Sequence, residues 1–107
     1  MTAEELAKWI STADVQKYSG NGKEVFVATE LNKQLILTCH RVAYPHGLYP
    51  HTKVVWIDTG RAELLYQDVV NELTGQILGG IGSITGLHTA RENVETIWCA
   101  LMEASKN

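Results

Sequence analysis

Residues 61–77 read Arg-Ala-Glu-Leu-Leu-Tyr-Gln-Asp-Val-Val-Asn-Glu-Leu-Thr-Gly-Gln-Ile. Ala62, Leu65, Tyr66, Val69, Val70, Leu73 and Ile77 recur at spacings of three and four. That is the stripe an amphipathic helix presents to a core, and the spacing predicts a helix here. The fold class depends on this reading, because the stretch lies between a strand-rich half and the C-terminal end.

Upstream, three runs read as strands: Val25–Ala28, Gln34–Val42 and Lys53–Asp58. The first two are joined by Glu30-Leu31-Asn32-Lys33, a connection of hairpin length. Val25 and Val27 oppose Phe26 and Ala28, while Leu35, Leu37 and Cys39 oppose Ile36 and Val42. Val54 and Trp56 likewise oppose Val55 and Ile57. A sheet with one wet face alternates apolar with polar residues, so a sheet apolar on both faces calls for cover on both.

The flanks of this block carry helix signals. Thr2 and Glu5 form a capping box, followed by Leu6, Trp9, Ile10 and Ala13 on one stripe. Val15 and Tyr18 fall off that stripe, which implies a bend near Ser11-Thr12, and Ser19-Gly20-Asn21-Gly22 ends the block. Thr89 and Glu92 make a second capping box, ahead of Ala90, Val94, Ile97, Trp98 and Leu101. Residues 76–86 are glycine-rich and suit either a loop or a short fourth strand. The expected fold is therefore a single α+β domain over residues 1–107: an N-terminal helix, a three-stranded antiparallel meander and two C-terminal helices.

The chain has 107 residues, 45% of them hydrophobic and 20% charged, which excludes a disordered or collagen-like chain. Its net charge of −3 argues against a nucleic-acid binder. No apolar run approaches the ~20 residues of a membrane span, and no basic segment followed by an apolar one opens the chain. With only Cys39 and Cys99, a disulfide framework is not expected, and a cytoplasmic setting fits. The charge is uneven: residues 1–30 carry −2, residues 31–61 carry +3 and residues 62–107 carry −4. His40, His46 and His51 lie in the basic block, whose charge rises further below about pH 6.5.

That block also holds the most unusual segment, Arg41 to Lys53, in which Tyr-Pro-His occurs at 44–46 and again at 49–51. Prolines stiffen a loop, and tyrosine with histidine offers flat surface with hydrogen-bonding tips. The reading is a non-enzymatic binding or regulatory domain that engages an acidic protein partner and self-associates as a homodimer or larger assembly. Its contact surface comprises Arg41, Tyr44, His46, Tyr49, His51 and Lys53. The alternative is a small enzyme or ligand binder using His46, His51 and Asp58 in a cleft beside the sheet.

Other chemistries fare less well. His46 and His51, with four residues between them, could ligate a metal, but Cys39 and His40 point to opposite faces of a strand and no second ligand pair exists. The Gly79–His88 run lacks the Lys-Ser/Thr ending of a phosphate loop, and Ser83 stands outside any nucleophile elbow. No cofactor, metal or catalytic residue is assigned.

Overall fold

A computed structural model describes residues 1–40 and 51–106. The chain opens with helix α1 (Ala3–Ile10) and continues through strands β1 (Asp14–Gly20), β2 (Lys23–Glu30), β3 (Lys33–His40), β4 (Lys53–Asp58), β5 (Arg61–Val70) and β6 (Ile77–Ile81). Helix α2 (Ala90–Ser105) closes it. The six strands form one antiparallel sheet in the order of the sequence. The expected fold is thus corrected on both flanks of the meander. Six strands replace three, and among the described residues one C-terminal helix replaces two.

The 61–77 stretch is the main correction. It starts from a tight turn in which Thr59 (φ 50°) and Gly60 (φ 79°) both take positive φ, the geometry that lets Asp58 pair with Arg61. Along β5 the register slips: Val54 faces Tyr66, but Val55 faces Leu64. Leu65 is the extra residue of a bulge, and so Leu65 and Tyr66, adjacent in sequence, are both buried. A second slip lies between Val69 and Val70. The extra residue of that second slip is Leu78, in β6, so β5 itself carries one bulge, and the adjacent inward pair Leu65 and Tyr66 imitates the neighbouring positions of a helical stripe. Leu73 belongs to neither pattern. It sits 96% exposed on a turn whose Asn71 Oδ1 accepts from the Leu73 and Thr74 amides at 2.9 and 3.3 Å.

The first block is corrected for a different reason. Helix α1 ends at Ile10, and the Ser11 and Thr12 hydroxyls donate back to the carbonyls of Lys8 and Trp9 at 2.6 and 2.8 Å. Strand β1 follows and turns into β2 at Asn21-Gly22, with φ of 51° and 74°. Asn-Gly is the most characteristic two-residue hairpin turn. Both threonines cap their helices: Thr2 Oγ1 accepts from the Glu5 amide at 3.1 Å, and Thr89 Oγ1 from the Glu92 amide at 3.4 Å.

One face of the sheet packs against the helices. Phe26, Ala28, Leu35, Leu37, Cys39, Val54, Trp56, Leu65 and Tyr66 join Ala3, Leu6, Ile10, Val94, Ile97 and Leu101 in one core. Trp9 meets Trp56 edge-on, with ring centroids 4.9 Å apart at 78°. Each fully buried leucine here contributes about 2 kcal/mol relative to exposure. Strand β6 passes over Tyr66, and a Cβ at Gly80 would collide with that ring. Within the glycine-rich 76–86 stretch, Ile77–Ile81 is thus a strand, the sixth of the sheet and an edge, and close approach requires its Gly80.

Candidate functional site

The pairing register defines the other face of the sheet. Val27 faces Ile36, Ile36 faces Val55, and Val55 faces Leu64, so four aliphatic side chains cross strands β2 to β5 in one row. All four are partly exposed, and none belongs to the core shared with the helices. The neighbouring outward row runs Tyr18, Val25, Thr38, Lys53, Gln67 and Ile81. Beyond it, at the sheet's end, Lys23 faces His40. Among the described residues no helix or strand covers this face, which is aliphatic across its middle and basic at one end.

At that basic end lies a cleft of about 210 Å³ lined by Lys23, Thr38, His40, His51, Lys53, Gln67 and Asp68. The His40 and His51 rings lie 4.6 Å apart at a tilt of 38°. His51 reaches this position from a backbone with φ of 57°, an uncommon conformation for a residue with a side chain. Burial, the neighbouring His51 and Lys23 together hold the His40 pKa below the usual imidazole value.

Asp68 is the acidic group at the cleft, and its carboxylate is already engaged. The side chain is fully buried. Oδ2 accepts from the Thr52 amide at 2.9 Å, while Oδ1 takes the Tyr66 hydroxyl and Arg91 Nη1, the latter at 2.5 Å. Burial, reinforced by the bond to Asp68, pushes the Tyr66 hydroxyl's pKa up. For Arg91 burial works against the charge, but bonds to Tyr66 and Asp68 outweigh it and raise the pKa. This clasp ties α2 and β5 to the segment that enters β4. It spends the one negative charge of the cleft on internal bonds.

The structure places His51 and Lys53 in this cleft. Arg41, Tyr44, His46 and Tyr49 lie outside the described residues. Asp58 sits at the far end of β4, roughly 16 Å from Lys53 at the usual strand rise. Its Oδ1 accepts from the Thr59 hydroxyl at 3.0 Å. The structure does not bring Asp58 and His51 together. Among the described residues no group of three or more His, Cys, Asp or Glu side chains is placed to hold a metal ion. Cys39 faces the core, where burial pushes its thiol up to about 12, and His40 turns the other way.

Sequence reasoning passed over Lys23, Thr38, His40 and Gln67 as members of one site, and over the Tyr66–Asp68–Arg91 clasp. The signal for the first pair was present. The two-residue turn at 31–32 obliges Lys23 to oppose His40, because it fixes the register of the β2–β3 hairpin. In comparisons with known protein families, with curated proteins and with solved structures, the chain matches none.

Proposed function

We propose that this domain is a non-enzymatic binding protein whose uncovered sheet face receives an acidic segment of another protein. The observation that carries the reading is the union of a four-residue aliphatic row with a cleft of two lysines and two histidines. Apolar side chains of the partner lie on Val27, Ile36, Val55 and Leu64, and its acidic groups reach Lys23 and Lys53. Arg41, Tyr44, His46 and Tyr49 belong to the same reading by chain position, since residues 41–50 connect His40 to His51. The enzymatic alternative draws no support from His51 and Asp58, which stand at opposite ends of β4.

A reduced intracellular setting accords with two cysteines that are not paired, Cys39 being buried and Cys99 exposed. No helix among the described residues is long and apolar enough to cross a membrane. Self-association is a second proposal, favoured by edge strand β6. Leu78 and Ile81 on that strand are 61% and 56% exposed, beside Val69 at 39%. Exposed apolar edges invite pairing with another strand. Sedimentation equilibrium should then show a concentration-dependent dimer that Leu78→Lys dissolves, and a monomer at all concentrations removes this part.

The partner reading is tested with two synthetic peptides, one alternating leucine with glutamate and one alternating leucine with lysine. Fluorescence anisotropy should show binding of the glutamate peptide alone, lost in Lys53→Glu. Equal binding of both peptides contradicts the reading.

A further inference from the structure

We propose that the cleft formed by Lys23, His40, His51 and Lys53 is a site for a phosphomonoester dianion carried by the acidic partner segment. This rests on the binding reading above and names the charged group that anchors it. The side chains arrive from three adjacent strands and from His51, two positions before β4 begins. Lys23 on β2 faces His40 on β3, and Thr38 on β3 faces Lys53 on β4, so both pairs stand at cross-strand spacing on the outward face. His51 closes the group from its left-handed backbone, with its ring against His40.

Charge decides between carboxylate and phosphate. Lys23 and Lys53 supply two permanent positive charges, which a carboxylate would half satisfy and a phosphomonoester dianion matches. Two ammonium groups, two imidazoles, the Thr38 hydroxyl and the Gln67 amide offer more donors than the two oxygens of a carboxylate can use. The groups facing the cleft are Lys23 from β2, Thr38 and His40 from β3, His51 and Lys53 at the start of β4, and Gln67 and Asp68 from β5. Asp68 cannot act as the internal counter-ion, because Arg91 of α2, the Tyr66 hydroxyl and the Thr52 amide hold it. Among the described residues the cations therefore face one another with no other carboxylate lining the cleft, and after burial it is repulsion from His51 and Lys23 that disfavours a protonated His40. A bound dianion reverses that repulsion and favours protonated histidines. Affinity consequently falls at high pH, where His40 is neutral, and at low pH, where the phosphate loses its second charge.

The test uses the full chain, ¹⁵N-labelled, at constant ionic strength. Inorganic phosphate and phenyl phosphate should give saturable shifts at Thr38, His40, His51 and Lys53, and should raise the His40 pKa. Dimethyl phosphate, a singly charged diester, should give none. Lys23 and Lys53 are exposed, so K23Q and K53Q keep the fold, and each should weaken binding roughly tenfold. Non-saturating shifts shared with dimethyl phosphate, or unchanged affinity in both variants, overturn the site. A second arm compares a leucine-rich peptide bearing phosphoserine with its serine twin. Tighter binding of the phosphopeptide than of phenyl phosphate supports a polypeptide source. Equal binding overturns that source and assigns the cleft to small phosphate esters.

Discussion

The two faces of the sheet are built from the same strands yet do opposite work. In β3, Leu35 and Leu37 are fully buried beneath the helices, while Ile36 between them is partly exposed on the other side. The inward row is closed by α1 and α2. The outward row is equally aliphatic but no described residue packs over it as the helices do over the inward row, and a basic cleft lies at its end. Apolar side chains that the fold does not need for its own core are the usual material of a contact surface. The comparison separates residues that hold the domain together from residues available to a partner.

The largest effect that could break this distinction comes from adjacent positions in one strand. Leu37→Ala should lower unfolding free energy by about 3 kcal/mol, and Ile36→Ala by about 1 kcal/mol or less, in urea denaturation. Similar losses at both positions would mean that both faces are core. Asp68→Ala comes next, at roughly 2–3 kcal/mol, because it removes the buried acceptor that the Arg91 guanidinium, the Tyr66 hydroxyl and the Thr52 amide share. Thermal denaturation should show that loss with the helix signal of α2 reduced early, as α2 loses its tie to the sheet. Gly80→Ala should cost about 1–2 kcal/mol by driving a methyl group into the Tyr66 ring. A Tyr66→Phe background would not relieve it, since the collision involves ring carbons as well as the hydroxyl.

The smallest effect is on pH dependence. Burial, His51 and Lys23 hold the His40 pKa below its ordinary value of 6.5. The unfolded chain therefore takes up a proton that the folded chain refuses, and stability falls as pH drops below about 6.5. His40→Gln should flatten this acid limb of a stability–pH curve, and an unchanged limb would assign the loss to other groups.

How much of this was legible in the sequence follows from where the signals sat. The two helices were marked by capping boxes and by stripes that the core confirms at Leu6, Ile10, Val94, Ile97 and Leu101. Strands β2, β3 and β4 were visible because both of their faces are apolar. Strand β1 was not, since all of it but Val15 is exposed and no alternation survives; only Asn21-Gly22 betrayed the hairpin. Strand β5 was hidden by its bulge, which placed Leu65 and Tyr66 on one side. Missing β5 also hid the clasp, because Asp68 and Tyr66 share a buried face only in a strand. His51 and Lys53 were singled out from composition, but their neighbours Lys23 and His40 required the hairpin register.

On the proposed reading the outward face of the sheet is a binding surface and the inward face is not. Methyl-resolved NMR during titration with the leucine–glutamate peptide tests it most directly. The methyl groups of Val27, Ile36, Val55 and Leu64 should shift together and saturate with Lys53, while those of Leu35, Leu37, Val54 and Val94 stay in place. Shifts confined to α2 or to β6, with the outward row unmoved, would contradict it.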